Sequence, residues 1–264
     1  MNNKSILITG AASGIGRETA LFFAQKSWFV GIFDVDDAGL KTLVSDIGLA
    51  NCFAGVMDVA DPESVQRGIH AFAGKTGGRL DVLLNNAGIL KFGLFETVDL
   101  DTHLKIVDVN LKGCLSCAYH GLPYLKRTAG ARIINMSSIS SLYGVPELGV
   151  YSATKHALSA MTQFLNIELE PHGIHVCDIR PPYVRTPMLA PGKDVKSMKV
   201  IRYLGGQIKP EKIAQTIWKA AHGNRLHWNI GLTSLMILQF WMLPFTKRLS
   251  LKLLTMPKLR KEEI

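Results

Sequence analysis

The chain has 264 residues, 47% of them hydrophobic, and a formal net charge of +9. That length suits one α/β domain with a large core, and so apolar a composition excludes a disordered chain. Four cysteines (Cys52, Cys114, Cys117, Cys177) are too few for a disulfide scaffold, and eight histidines without an H-E-x-x-H pattern give no metal site.

Residues 1–5 lead directly into the apolar run of the first predicted strand, over 5–9. This leaves no room for a signal peptide and points to the cytoplasm. The strand ends in Thr9-Gly10-Ala11-Ala12-Ser13-Gly14-Ile15-Gly16, and a helix is predicted over 14–26. Glycines in that place permit a tight turn, close approach of backbone to a pyrophosphate, and close helix–strand packing. The helix N-terminus then turns unpaired N–H groups and a favourable dipole toward phosphate. Gly10, Ser13, Gly14, Ile15 and Gly16 are therefore the candidate cradle. A second strand over 29–34 ends at Asp34, eighteen residues beyond Gly16. A carboxylate there can bond both ribose hydroxyls of an adenosine and would repel a 2′-phosphate. No arginine or lysine lies between Gly10 and Gly16, so NAD is favoured over NADP, although Arg17 follows directly. Asp34 could instead cap the next turn, where Asp36 and Asp37 also lie.

Further along, helices are predicted over 38–47, 62–75 and 101–126, and strands over 51–57, 82–85 and 131–136. Cys114-x-x-Cys117 falls inside the long helix, has no second pair, and is read as packing. A helix over 152–172, a strand over 174–179, a helix over 211–222 and a strand over 226–230 complete the series. Several strands are continuous apolar runs, as parallel strands buried on both faces should be. Strand–helix alternation of this kind predicts an α/β fold: a doubly wound, seven-stranded parallel sheet of Rossmann type, one domain over 1–231.

Tyr151 and Lys155 stand four residues apart in Y-S-A-T-K, about one helical turn, with Ser138 thirteen residues upstream. A phenol titrates near pH 10, and a fixed cation beside it should stabilise the phenolate and pull that value down. Such a phenol can give a proton to a carbonyl oxygen or take one from an alcohol.

Composition changes after Gly231. Residues 232–245 are uncharged and rich in large apolar side chains, and Lys247, Arg248, Lys252, Lys258, Arg260 and Lys261 follow. As a helix those fourteen residues would reach about 21 Å, short of a ~30 Å hydrocarbon core. The extension over 232–264 has three readings: a lid on the pocket, a subunit contact, or a segment lying on an anionic membrane surface. No nucleic-acid reading motif accompanies the basic excess, so nucleic acid is not an expected partner.

In order and spacing these features resemble the short-chain dehydrogenase/reductase family over nearly all of residues 4–231. T-G-x-x-x-G-x-G stands at 9–16, and Asn85-Asn86-Ala87-Gly88 follows the fourth strand. Asp58-Val59 is similar to the family pair whose carboxylate meets the adenine. Asn110 lies in Asp108-Val109-Asn110-Leu111, and Ser138 keeps the family's distance to the tyrosine. Ser137 is the adjacent rival. The resemblance implies an oxidoreductase that moves hydride between NAD(H) and a secondary alcohol or ketone. Tyr151 would be the general acid/base, and Lys155 would favour the phenolate and hold the nicotinamide ribose. Ser138 would bond the substrate oxygen, and Asn110 would hold a water that resupplies the proton. Asn110 is also expected to kink its helix; a plain helix cap is the alternative. Cofactor contacts would add Asn86, Ala87, Gly88, Pro181, Val184 and Thr186.

One departure is Pro181-Pro182-Tyr183-Val184-Arg185-Thr186, where the family has glycine at the second position. Proline removes an N–H and fixes φ, so Pro182 and Tyr183 should reshape the pocket roof. By family position the pocket is lined by Leu90, Phe92, Ile139, Leu142, Tyr143, Pro146, Tyr183, Met188 and Leu189, with Arg185 and Lys193 nearby but no arginine clamp. That favours a lipophilic alcohol or ketone. The variable substrate loop would run over 186–209. A homodimer or homotetramer through the helices near 101–127 and 152–172 is also implied. A catalytically silent member, acting as a cofactor-binding or membrane-associated regulatory module, is the alternative; the intact Asn110, Ser138, Tyr151 and Lys155 stand against it.

Overall fold

Seven short strands pair into a single sheet in a computed structural model that describes residues 4–192 and 208–231. The strands are β1 (Ser5–Thr9), β2 (Phe29–Asp34), β3 (Cys52–Val56), β4 (Val82–Asn85), β5 (Arg132–Met136), β6 (His175–Arg180) and β7 (His227–Asn229). They lie in the order β3-β2-β1-β4-β5-β6-β7, and every neighbouring pair is parallel. Both faces are covered, which is why β1 and β4 are buried from end to end.

The two-residue period of the strands divides the core. Ile6, Ile8, Val30 and Ile32 face one layer, with Phe23 of α1 (Gly14–Gln25), Leu40 and Leu43 of α2 (Asp37–Ile47), and Ile213 and Ile217 of α7 (Pro210–Ala220). Leu7, Leu83 and Ile133 face the other. There they meet Val65 and Ile69 of α3 (Pro62–Lys75), Cys117 and Leu125 of α5 (Gly113–Leu125), and Leu158 of α6 (Gly149–Glu168). Cys114 and Cys117 are buried in this second layer, where burial pushes both thiols up. The Cys-x-x-Cys pair is thus placed as packing.

The helix predicted over 101–126 arrives in pieces. α4 (Leu100–Val107) passes through one π-helical turn, Asp108–Lys112, into α5. Asn110 sits in that wide turn instead of capping a helix. Its side chain leaves the helix to grip the backbone of Ile89: Oδ1 accepts from the Ile89 N–H at 2.8 Å and Nδ2 donates to the Ile89 carbonyl at 2.9 Å. α2 and α3 are capped by the carboxylates of Asp36 and Asp61. α1 differs, because Ser13 makes no side-chain cap and its first turn holds no acid.

The reversal of strand order falls between β1 and β4, and ligand crevices in such sheets open there, at the carboxyl ends of the strands. Among the described residues no helix is long and apolar enough to cross a membrane. The extension over 232–264 and Lys193 lie outside the described residues, as does 193–207 of the substrate loop.

Candidate active site

A cavity of about 590 Å³ opens at that reversal, and its walls come from the ends of β1 through β6. One end is floored by the glycine loop. Gly10 has φ +66°, and a Cβ there would come 2.8 Å from Ala87 Cα. Gly14 has φ +54° and would put a Cβ 3.2 Å from Thr186 Cγ2, so the loop and Thr186 meet closely. These backbone positions tolerate only glycine without strain. Ser13 and Ile15 line the cavity beside them. Gly16 does not. Its role is internal, since a Cβ there would lie 2.1 Å from the Gly10 carbonyl oxygen.

The β4 end is stitched to this loop. Asn86 Nδ2 donates to the carbonyls of Thr9 and Gly10, both at 2.9 Å, and the N–H groups of Asn86 and Ala87 donate to Thr9 Oγ1. Asn86, Ala87 and Gly88 all line the cavity. Asp34 does so from the end of β2. One of its oxygens accepts from the Ala12 N–H at 2.9 Å and the other from the Asp36 N–H at 3.1 Å. It braces the glycine loop, while Asp36 takes the capping role. Arg17 is committed elsewhere, to Asp46 of α2 and to Glu18. Asp58 and Val59 line the same end, and Asp58 is solvent-exposed.

Tyr151 and Lys155 enter on the first turns of α6, on one face, with Nζ 5.5 Å from the phenol ring centroid. Lys155 is 4% exposed, and its Nζ donates to the Met136 carbonyl at 2.7 Å. Ser138 follows β5 and heads a short 3₁₀ turn, Ile139–Ser141. It lines the cavity with Tyr151 and Lys155. Asn110 lies behind this wall, fully buried, bonded to Ile89 and to Thr154.

The electrostatics correct one expectation. Tyr151 is pushed up to about 12, because burial outweighs the downward pull of its hydrogen bond with Ser138. The expected lowering by Lys155 does not emerge from the protein's own groups. The ammonium lies near the ring and is held by the Met136 carbonyl, and burial lowers its own pKa.

The other end of the cavity is apolar. Leu90, Ile139, Tyr143, Tyr183, Met188 and Leu189 line it as expected. Phe92, Leu142 and Pro146 do not. Phe92 packs behind, on the cluster of Val145, Leu148 and Tyr183, and Pro146 faces a smaller neighbouring pocket. Their places are taken by Val145 and Leu148, which sequence reasoning missed; both fall in the thirteen-residue interval between Ser138 and Tyr151. Lys105, also missed, lines the cavity from α4, five residues before Asn110. Arg185 is exposed and off the wall.

Pro181, Val184 and Thr186 line the cavity after β6. Val184 bridges Ile208 in parallel register through the Tyr183 carbonyl and the Arg185 N–H. That pattern turns the N–H of Val184 itself away from Ile208. Pro182 is compatible with it, because the bridge needs no donor at that position.

The chain matches the family model described as short chain dehydrogenase over residues 4–196. It is 31% identical to a cyclohexanol dehydrogenase of Acinetobacter sp. (strain SE19), over 82% of this chain and 86% of that protein. It is 34% identical to a 3-oxoacyl-[acyl-carrier-protein] reductase of Thermotoga maritima, over 82% of this chain and 89% of the relative. Among solved structures, a 3-ketoacyl-(acyl-carrier-protein) reductase from Brucella melitensis complexed with NADH aligns with a TM-score of 0.77 and 30% identity, covering 86% of this chain and 96% of that one.

Proposed function

The chain belongs to the short chain dehydrogenase family, a family of oxidoreductases, and on that premise we propose that it moves a hydride between NAD(H) and a lipophilic secondary alcohol or ketone. The observation that carries this reading is the convergence of Ser138, Tyr151 and Lys155 on one cavity, between a glycine-floored polar end and an apolar end.

A nicotinamide dinucleotide fits the polar end. Gly10, Ser13, Gly14, Ile15 and Thr186 would hold the phosphates and carboxamide side, with Gly16 keeping the loop closed. Asp34 would hold the adenosine ribose, Asp58 and Val59 the adenine, and Asn86, Ala87 and Gly88 the middle. Pro181 and Val184 would flank the nicotinamide. When bound, the nicotinamide supplies or accepts the hydride. In oxidation the alcohol's C–H bond breaks with its electron pair leaving as hydride, and its O–H proton passes to the Tyr151 phenolate. In reduction Tyr151 returns that proton to the oxygen. Ser138 donates a hydrogen bond to the oxygen as charge develops there. Lys155 supplies positive charge beside the phenol, and Asn110 fixes the Ile89 backbone on the cavity wall.

The apolar wall of Leu90, Val145, Leu148, Tyr183 and Leu189 supports a lipophilic substrate. Cyclohexanol, in the name of one relative, is an alcohol of that class. Mixing the protein with NAD and a panel of secondary alcohols should produce NADH, fastest with apolar ones. Cofactor binding without turnover of any alcohol or ketone would instead favour the catalytically silent reading. A homo-oligomer belongs to the same proposal, supported by the exposed Leu115, Tyr119, Phe164 and Ile167 on α5 and α6.

The preference for NAD rests on Asp34 and on the diversion of Arg17 to Asp46. Asp34→Ala should change the ratio of kcat/KM with NAD to kcat/KM with NADP by roughly 10- to 100-fold toward NADP, the worth of one or two charge-assisted hydrogen bonds plus a lost repulsion. The ratio is the informative quantity, since the variant also loses the brace to Ala12 and slows both reactions. An unchanged ratio would remove Asp34 from cofactor choice.

A further inference from the structure

We propose that Ser140 is a positioning residue that fixes the direction of the Ser138 hydroxyl proton, an inference that rests on the acid–base reading of Tyr151. A serine hydroxyl has two lone pairs and one proton. Around Ser138 both lone pairs are taken by the same neighbour: the Ser140 hydroxyl donates to Ser138 Oγ at 2.8 Å, and the Ser140 N–H donates to it at 3.2 Å. With its acceptor sites filled from behind, Ser138 has one direction left for its proton. That direction is the cavity, which Tyr151 lines beside it and where the Ser138 hydroxyl pulls the phenol's pKa down. The arrangement is a one-way chain, Ser140 to Ser138 to the developing negative charge. Each donor polarises the next.

Ser140 is built for this role. It is 4% exposed, yet it lines the cavity beside Ser138. The 3₁₀ turn Ile139–Ser141 aims its N–H back at the Ser138 side chain. Ser141 is different, because its hydroxyl donates to the Ser138 carbonyl at 2.7 Å and so secures the backbone only. The titratable groups around Tyr151 are Lys155 on its own helix, Tyr183 in the cluster it packs on and Tyr143 on that same cluster, Lys105 on the cavity wall, and Lys91, His103 and Glu147 around the small neighbouring pocket. Ser140 changes none of these charges.

The test compares Ser140→Ala, Ser140→Thr, Ser141→Ala and Tyr151→Phe, with melting temperature and cofactor binding measured on each to show that it is folded. Ser140→Ala should lower kcat about tenfold with little change in KM for cofactor. Its alcohol-oxidation profile should also move to higher pH by roughly half a unit, because a less polarised Ser138 stabilises the phenolate less. Ser140→Thr keeps the hydroxyl and should restore both, whereas Ser141→Ala should leave the pH profile in place. A folded Ser140→Ala enzyme with the parent kcat and profile would overturn the proposal. So would a loss in kcat that comes with no pH shift and is not rescued by threonine. In either case Tyr151→Phe, if inactive, leaves the acid–base reading standing; activity in Tyr151→Phe would remove that reading itself.

Discussion

Tyr151→Phe is expected to cut turnover by about 10³-fold while leaving cofactor binding intact, within the range that positioned acid–base groups contribute. Among the described residues on the cavity wall, Tyr143 and Tyr183 are the other phenols, and neither stands four residues from a buried lysine. Removing one oxygen leaves the ring packed on the cluster of Val145, Leu148 and Tyr183, so loss of rate would report chemistry and not collapse of the wall. The raised pKa of about 12 gives the sign of the pH dependence. The neutral phenol is the acid needed for ketone reduction, and it is present throughout the neutral range. The phenolate is the base needed for oxidation, and it accumulates only as pH rises. Oxidation should therefore accelerate into the alkaline range and reduction should not. Tyr151→Phe should abolish the alkaline rise. Steady-state rates in both directions across pH, with fluorescence titration of the cofactor, would check this. A variant that kept turnover would end the assignment of the phenol.

What was legible in the chain was local. A turn that needs positive φ announces itself as Gly10 and Gly14, and a residue ending a buried strand announces itself as Asp34. The Tyr151–Lys155 spacing is one helical turn, and no tertiary information is needed to put both groups on one face. The central strands are runs of apolar residues buried on both faces, so their existence was readable; the edge strands β3 and β7 are only partly buried. What was not legible depends on where separate segments meet. Lys155 donates to the carbonyl of Met136, nineteen positions away in another element, and this uses part of the charge expected to serve the phenol. The break at Asn110 is made by the backbone of Ile89, twenty-one positions away. Val145 and Leu148 reach the cavity because the loop before α6 folds over Tyr183, and no period in the sequence marks that. Ser140 was unremarkable in S-S-I-S-S until its distances to Ser138 were known.

The largest stability effect is expected far from any periodic signal, at Asp178. This carboxylate is completely buried in β6. Its Oδ1 lies 3.1 Å from Arg180 Nε and 2.9 Å from His227 Nδ1, and its Oδ2 accepts from Ser159 Oγ at 3.2 Å. Arg180 also bonds Ser159 and approaches the His227 ring, so α6, β6 and β7 are tied through one anion. Asp178→Ala would leave the Arg180 side chain, 8% exposed, without its counter-charge. Breaking a buried pair from one side costs about 3–5 kcal/mol, which in a domain of this size lowers Tm by roughly 10 °C. Asp178→Leu combined with Arg180→Met removes both charges and should recover much of that loss. Arg180 is followed at once by Pro181 and the segment that carries Tyr183, Val184 and Thr186 to the cavity. The single variant should therefore also raise KM for cofactor, and the double variant should do so less. Thermal melts with cofactor titrations on both would decide. A single variant as stable as the parent would show that Arg180 finds solvent when Asp178 is gone, and that the strand carrying the cavity wall is held by its β5 pairing and not by this buried charge.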